Sequence, residues 1–201
     1  MGLVCGLHGT CSLCGREPNF FFSEAEHPCL HNLLSPPMAE SIPAAWISDY
    51  LIDAAETYGG QLYDVPPFIK KKRVQLIEFL TFHENSYVWA CASDKTHRIP
   101  IRISREAAEE FKAKNSGRNV VDYRFALVFI KHFRPIFSPR PLGGGLKGNT
   151  PTPHLALEVG YVENIGPGTH IFGDPNDVES NSLVHEWVAG LRRDGGETCS
   201  N

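Results

Sequence analysis

The sequence lacks any apolar run long enough to cross a membrane. A spanning helix needs about 18 or more consecutive apolar residues, and no window of these 201 residues comes close. The first 14 residues also lack the basic start and long apolar segment of a secretory signal. We therefore expect a soluble protein of a reducing compartment, with no membrane partner and no reliance on disulfides.

Positive charge is also scarce. The 19 Lys and Arg residues are outnumbered by 23 Asp and Glu residues, which gives a formal net charge of −4. Because cationic excess supplies most non-specific affinity for nucleic acids, we expect the chain alone to bind DNA weakly. One basic run, Lys70–Arg73, has three open interpretations: a solvated strand start, a nuclear-import signal, or an edge that contacts phosphates.

No arrangement of residues typical of an active site is present. The nine histidines and the carboxylates are scattered without a Ser/His/Asp or paired-acid pattern. The glycine-rich segment 143–150 is not a phosphate-binding loop, because that motif needs Gly-Lys followed directly by Ser or Thr, and Lys147 instead precedes Gly148. We expect neither catalysis nor a cofactor.

Residues 1–40 differ from the rest of the chain. They hold four of the six cysteines and show no sustained periodicity. Cys and His are the usual ligands of zinc and iron–sulfur centres, and the candidates here are Cys5, His8, Cys11, Cys14, Cys29 and His31. Structural zinc sites usually place two ligand pairs on either side of a longer loop, whereas the first four candidates crowd into ten residues. We expect a disordered leader outside the fold and no metal site.

The periodicity of residues 41–195 predicts a mostly β domain with flanking helices. Apolar residues recur at helical spacing over 44–58 and over 182–193. A third helix is expected after residue 104, where Ser104 is a suitable N-cap and Glu106 suits the positive end. Runs rich in β-branched and aromatic residues predict strands at 74–82, 87–92, 99–103, 123–133 and 154–162. The order β-β-β-α-β-β is that of an OB-fold, a five-stranded Greek-key barrel, here with a C-terminal helix.

Particular residues add detail to this fold. Pro100 cannot donate to a β ladder, so the third strand is expected to have an edge or a bulge there. The Gly- and Pro-rich segment 139–153 predicts a long loop between the fourth and fifth strands. Trp46 and Trp187, on the first and last helices, are expected to be largely buried against the barrel.

The aromatic residues of the second and fourth strands leave two interpretations open. These residues are Tyr87, Trp89, Tyr123, Phe129 and Phe133. They form either a platform on which nucleic-acid bases stack or part of the barrel core. Core packing is favoured, because aromatic residues at alternate positions of a strand share one face.

Four short segments resemble a known protein family. They are Ala45-Trp46-Ile47, the hairpin Ala92–His97, the helix start Ser104–Ala107, and Asn176-Asp177-Val178 ahead of Val184–Trp187. The most specific feature is Ser-Asp-x-Thr-His followed seven residues later by Ser/Thr-Arg-Glu-Ala. Over about residues 42 to 190 the chain resembles the OB-fold subunit of shelterin that recruits telomerase, and the small OB-fold subunit of the yeast telomerase holoenzyme. Lys95 departs from the pattern, since Gly is expected there in animal members.

The resemblance implies a telomere-maintenance adaptor located in the nucleus at chromosome ends. Its implied partners are the telomerase catalytic subunit, a single-strand telomere-binding protein and, indirectly or weakly, telomeric DNA. The implied docking residues lie beside the helix after the third strand and are Asp94, Arg105, Glu106, Glu109 and Glu110. Acidic residues on a short helix are also often only solvated, and Glu106 has a second possible role at the helix N-terminus.

Two further alternatives concern the whole chain. Family members carry segments beyond the OB domain, so we expect this chain either to lack their contacts or to be part of a longer protein. The alternative function is that of a direct single-stranded-DNA-binding OB-fold protein of replication or repair. That function requires a basic groove and exposed aromatic side chains.

Overall fold

The computed structural model describes residues 44–81 and 87–193. Within that part of the chain the helices are α1 (Ile47–Tyr58), α2 (Arg105–Lys114) and α3 (Ser182–Arg193). The strands are β1 (Lys72–Phe79), β2 (Val88–Ser93), β3 (His97–Ile103), β4 (Leu127–Ser138), β5 (His154–Gly166) and the short β6 (Asn176–Asp177). The leader predicted at 1–40, with its candidate metal ligands, lies outside the described residues.

Five of the strands close into a barrel. Strand β1 pairs antiparallel with both β2 and β4, and β4 pairs antiparallel with β5. The circle closes because β3 pairs antiparallel with β2 and parallel with β5. This mixed five-stranded barrel, with α2 between β3 and β4, is the predicted OB-fold. The predicted loop at 139–153 joins β4 to β5, as expected.

The core fills the barrel and continues beneath the helices. Alternate residues point inward, as the two-residue period of a strand requires. Val74 and Leu76 of β1 and Ile99 and Ile101 of β3, for example, are fully buried in one cluster. The same cluster includes Leu51 of α1. The three helices therefore pack their apolar faces against the barrel core, through residues such as Leu51, Phe111 and Val188.

The fourth strand begins later than its apolar pattern predicts. Val120–Asp122 form a 3-10 turn, and Phe125 has a φ of +66°, which no regular strand accommodates. The ladder with β5 therefore starts at Leu127 and runs to Ser138. Residues 123–126 form a loop instead of the start of the strand. An apolar run does not by itself distinguish a packed loop from a strand, which is why the pattern misplaces the start of β4.

Strand β3 has a local edge at Pro100, as predicted. Pro100 lies opposite Cys91 in the ladder with β2. On the other side, pairing with β5 begins at Ile101 and pairing with β6 ends at Arg98. Within residues 44–81 and 87–193, no strand is in register with Pro100 on that side, so its missing N–H leaves no described ladder partner unsatisfied.

The two tryptophans are buried to different extents. Trp46 is 7% exposed and packs in the core, as predicted. Trp187 is partly buried and packs against the edge of the core cluster rather than inside it, so the predicted burial holds to a lesser extent than for Trp46. Helix α3 packs through Val184 and Val188 instead, and Trp187 lies at the flank, where its Nε1 donates to the Gly59 carbonyl at 2.7 Å.

The segment that leads from β5 toward β6 is fixed by a side chain of β1. The buried Gln75 amide donates to the carbonyls of Phe125 and His170 at 2.9 and 2.7 Å and accepts from the Phe172 N–H at 2.9 Å. Gly168 passes so close to Phe125 that a Cβ there would overlap the Phe125 carbonyl oxygen. Sequence periodicity gives no sign of this contact, which joins residues far apart in the chain.

Among the described residues, no helix is both long enough and apolar enough to cross a membrane.

Candidate partner-binding surface

Asp94 is at the centre of a buried hydrogen-bond network. Its Oδ2 accepts from the backbone N–H groups of Trp46 and Ile47 at 2.6 and 2.7 Å. Its Oδ1 accepts from those of Thr96 and His97 at 3.1 and 2.8 Å. The carboxylate therefore caps the N-terminus of α1, where its negative charge interacts favourably with the helix dipole. The same carboxylate also stabilises the turn between β2 and β3.

This position corrects the expectation that Asp94 presents an acidic group to a partner. The residue has no solvent exposure, and both of its oxygens are engaged within the fold. The same turn bears on Lys95, the position at which this chain departs from the family pattern. Lys95 has a φ of +87°, in the region that glycine adopts most easily, so the Gly expected there in animal members suits the backbone.

The network continues from the turn to α3. The Asn176 N–H donates to the Thr96 carbonyl at 2.9 Å, and β6 pairs with the start of β3. Asp177 then accepts from the Glu179 N–H at 3.0 Å, and Asn181 caps α3 through the Leu183 N–H at 3.0 Å. Three of the four segments on which the family resemblance depends are thus joined by hydrogen bonds, although 129 positions separate Ile47 from Asn176.

The fourth segment positions helix α2. The Ser104 hydroxyl accepts from the Ala107 N–H at 3.1 Å, so Ser104 is the N-cap that the sequence predicts. Ala107 and Phe111 are buried, and the Phe111 ring meets Tyr123 edge-on at 5.0 Å between centroids. This packing fixes which face of α2 is left in solvent.

The outer face of α2 brings together four of the five predicted docking residues. We define this α2 outer face by its exposed charged side chains, which are Arg105, Glu106, Glu109, Glu110 and Lys114. Arg105 Nε lies 2.8 Å from Glu109 and Lys114 Nζ lies 2.5 Å from Glu110, both pairs one helical turn apart. The hydrogen bond from Arg105 to Glu109 raises the pKa of the guanidinium above its ordinary value. Three carboxylates and two cations give the α2 outer face a net charge of only −1. Two of its carboxylates are in ion pairs with neighbouring cations, so the face is not strongly acidic.

The face formed by β2 and β3, where OB-folds usually bind oligonucleotides, has one covered and one exposed aromatic ring. Trp89 is 7% exposed and packs in a small apolar cluster that includes Ile136. The Arg102 guanidinium lies over the Tyr87 ring at 4.5 Å and donates to Glu158 at 2.8 Å. Trp89 is therefore covered, and Tyr87, which is 37% exposed, is the one accessible ring of the two, so these aromatics do not form a platform of several rings.

Glu158 anchors that face from β5. Burial raises its pKa, but the hydrogen bonds from Arg102 and Arg134 outweigh this, so its pKa is lower than usual. Arg134 approaches the second carboxylate oxygen at 2.9 and 3.0 Å. A carboxylate shared by two arginines holds β3, β4 and β5 together on the outer surface.

The other three aromatic residues named in the sequence analysis differ in how far they are buried. Phe133 is buried in the core beside Trp46, with ring centroids 5.2 Å apart. Tyr123 is half-buried against α2, and Phe129 is half-buried on the outer surface of the barrel. Core packing is therefore confirmed for Phe133 and Trp89, and Tyr123 packs against the edge of the main core cluster. Sequence reasoning missed Lys131 and Tyr161, which accompany Phe129 on that outer surface.

A cleft opens beside the local edge of β3. It has a volume of about 470 Å³, and its lining includes Cys91, Arg98, Arg140, His154 and Asp177. Burial raises the pKa of the Cys91 thiol to about 12, which keeps it protonated and unreactive at neutral pH. Burial, followed by the Arg140 charge, lowers the pKa of His154. Within residues 44–81 and 87–193, no three His, Cys, Asp or Glu side chains are placed to hold a metal ion.

Comparison with known proteins finds similarity among solved structures. No protein-family model matches the chain, and no curated protein sequence matches it. Among solved structures, the chain is similar to the Est3 telomerase subunit of the yeast Hansenula polymorpha, at 14% identity and a TM-score of 0.49. The similarity covers 70% of this chain and 84% of that one. The OB-fold assignment depends on the strand pairing, not on this similarity.

Proposed function

We propose that this protein is a non-catalytic telomere-maintenance adaptor that binds the telomerase catalytic subunit at chromosome ends in the nucleus. The supporting observation is that three of the four segments resembling the telomerase-recruiting OB-fold family meet in space. Asp94 of one segment bonds the backbone of Trp46 and Ile47 in another, and the same turn bonds Asn176 in a third.

This convergence strengthens the resemblance. Short matches that arise by chance, scattered over more than a hundred positions, have no physical reason to contact one another. Here they form the connection that holds α1 and the approach to α3 onto the barrel through the turn between β2 and β3. In this chain the matching segments are therefore the ones that attach α1 and the approach to α3 to the OB barrel.

The docking surface in this proposal is the α2 outer face. Glu109 and Glu110 are already paired along the helix, so a basic partner must compete with Arg105 and Lys114 for them. Exposed pairs of this kind contribute little to stability, so exchanging them costs little. Binding through them is therefore expected to depend on salt and on charge sign rather than on buried area.

The single-strand telomere-binding protein is the second proposed partner, and telomeric DNA is reached indirectly or weakly. The alternative, a replication or repair protein that binds single-stranded DNA through the usual OB face, is not favoured. On that face Trp89 is covered and Arg102 is engaged by Glu158.

The test is a pull-down of the telomerase catalytic subunit with a double charge reversal, Glu109→Lys with Glu110→Lys. We expect association to fall while circular dichroism and the melting temperature stay unchanged, because like charges brought together at an interface are costly. The matched control reverses the exposed Asp53 and Glu56 of α1, which makes the same change in net charge.

Compensation is the stricter test. A Lys→Glu or Arg→Glu change on the partner is expected to restore association with the doubly reversed chain if the contact is direct. If the α2 reversal and the control reversal leave association equally intact, this helix is not the docking surface.

A further inference from the structure

A group of cations surrounds two aromatic rings on the outer surface of β1, β4 and β5. In the strand register Arg73 lies opposite Phe129, which lies opposite Glu163, and Lys131 lies opposite Tyr161. Directly opposed residues project from the same face of a sheet, so these side chains form adjoining rows. We define this basic–aromatic face by Lys71, Arg73, Phe129, Lys131, Tyr161 and, from α2, Lys114.

Each ring of this face has two cations over it. Lys71 Nζ and the Arg73 guanidinium carbon lie 5.3 and 5.1 Å from the Phe129 centroid. Lys131 and Lys114 place their Nζ atoms 4.1 and 4.8 Å from the Tyr161 centroid. These distances fall within the range of cation–π attraction.

The face is positive on a chain of negative net charge. Among the described residues, two carboxylates contact the three lysines of this face: Glu163, which contacts Lys71 at 2.5 Å and the Tyr161 hydroxyl at 3.0 Å, and Glu110, which pairs with Lys114. The surplus of positive charge remains although the whole chain carries −4. Charge complementarity therefore points to a polyanion as the ligand.

The rings distinguish a nucleic acid from an acidic peptide. An acidic peptide would use the cations alone, whereas a single strand offers both phosphates and bases. Stacking a base on an aromatic ring strengthens binding by roughly 5- to 100-fold. An exposed cation over a ring contributes only about 2- to 5-fold. When a base displaces Lys131 from the Tyr161 ring, stacking therefore strengthens binding by more than the lost cation–π contact contributed. The displaced Lys131 ammonium can then contact a phosphate.

We propose that the basic–aromatic face binds single-stranded nucleic acid, with bases stacked on Phe129 and Tyr161 and phosphates held by Lys71, Lys131 and Lys114. This is a different face from the one formed by β2 and β3. The inference goes beyond the telomerase adaptor role and does not rest on it. With about three phosphates neutralised, log K is expected to fall with log salt at a slope of about −2, which is roughly a 20-fold loss between 50 and 200 mM.

The experiment titrates fluorescent oligo-dT and oligo-U with the full-length chain and follows anisotropy at several salt concentrations. Lys71→Ala with Lys131→Ala is expected to make the salt slope shallower by about 1.4, the contribution of two phosphates. Tyr161→Ala is expected to weaken binding by roughly 5- to 100-fold at an unchanged slope, because it removes a stacking ring and no charge. Tyr161→Phe keeps the ring and is expected to retain binding.

The control removes two exposed cations elsewhere, through Lys147→Ala in the β4–β5 loop with Arg193→Ala at the end of α3. Binding of either oligonucleotide with the expected dependence on Lys71, Lys131 and Tyr161 supports the proposal, and the two probes show which sugar is preferred.

Three outcomes overturn it. One is equal loss of binding in the control variant. Another is binding of a DNA duplex as tight as that of the single strands and indifferent to Tyr161. The third is binding of poly-glutamate with no binding of either oligonucleotide. Circular dichroism of each variant checks folding, and the lysine pair tests the face independently if Tyr161→Ala fails to fold.

Discussion

Replacing Asp94 by alanine tests the structural role assigned to its buried carboxylate. The substitution removes the acceptor of four backbone N–H groups at once, two at the start of α1 and two in the turn between β2 and β3. Because the site has no solvent exposure, these donors are left without partners inside the fold.

The expected loss of stability follows from those four bonds. Loss of a helix N-cap alone costs about 1–2 kcal/mol. A hydrogen bond to a charged acceptor contributes about 1.5–3 kcal/mol, so four at the lower value sum to about 6 kcal/mol. That sum is an upper value, because removing the carboxylate also removes the cost of burying it. We expect Asp94→Ala to lower the free energy of unfolding by about 3–5 kcal/mol, and the melting temperature by about 6–20 °C.

The assay is urea denaturation of the full chain, followed by tryptophan fluorescence and circular dichroism. Asp53→Ala, an exposed aspartate of α1, is the matched control and is expected to leave the midpoint unchanged. Asp94→Asn keeps the shape and one acceptor oxygen, so an intermediate loss is expected. A loss below about 1 kcal/mol for Asp94→Ala would refute the reasoning, since it would mean that the four bonds carry less than a single cap.

Other substitutions and conditions test the rest of the structure. Trp46→Ala is expected to cost about 3–5 kcal/mol in urea denaturation, and Trp187→Ala only about 1–2 kcal/mol because that ring is half-buried; equal costs would contradict the packing of α3. Gly168→Ala is expected to destabilise the fold strongly in thermal melts, since its Cβ would overlap a backbone carbonyl just before β4. The folded-state pKa of Glu158 is depressed, so its contribution to stability is present at neutral pH and lost as the pH falls below about 4.5 through that folded pKa. Glu158→Gln should therefore make stability less dependent on pH in this range, and an unchanged pH profile would exclude the shared carboxylate as its source. Cys91, with a pKa of about 12, is expected to resist iodoacetamide at pH 8 in the native chain and to react in denaturant, as followed by mass spectrometry of its peptide.

The docking residues show how far sequence reasoning reaches. The exposure of Glu109 and Glu110 could be predicted, because a helix with Ala107 and Phe111 buried must turn the intervening positions outward. The burial of Asp94 could not be, since an aspartate in a Ser-Asp-x-Thr turn looks like any solvated turn residue. Its true partner, the start of α1, lies 47 and 48 positions away.

The sequence by itself determined the main helices and strands and their order along the chain, which is that of an OB-fold. It also determined the N-cap at Ser104 and the long loop at 139–153. These follow from local periodicity and capping, which act over a few residues. Only the tertiary structure decided which side chains meet across strands and turns. It places Asp94 at the start of α1, pairs Arg102 of the usual OB face with Glu158, and brings Phe129 and Tyr161 together with lysines from β1, β4 and α2 on one surface. The physical reason is that a strand's residues have no fixed neighbours until the barrel register is set, and that register is a property of the whole closed sheet.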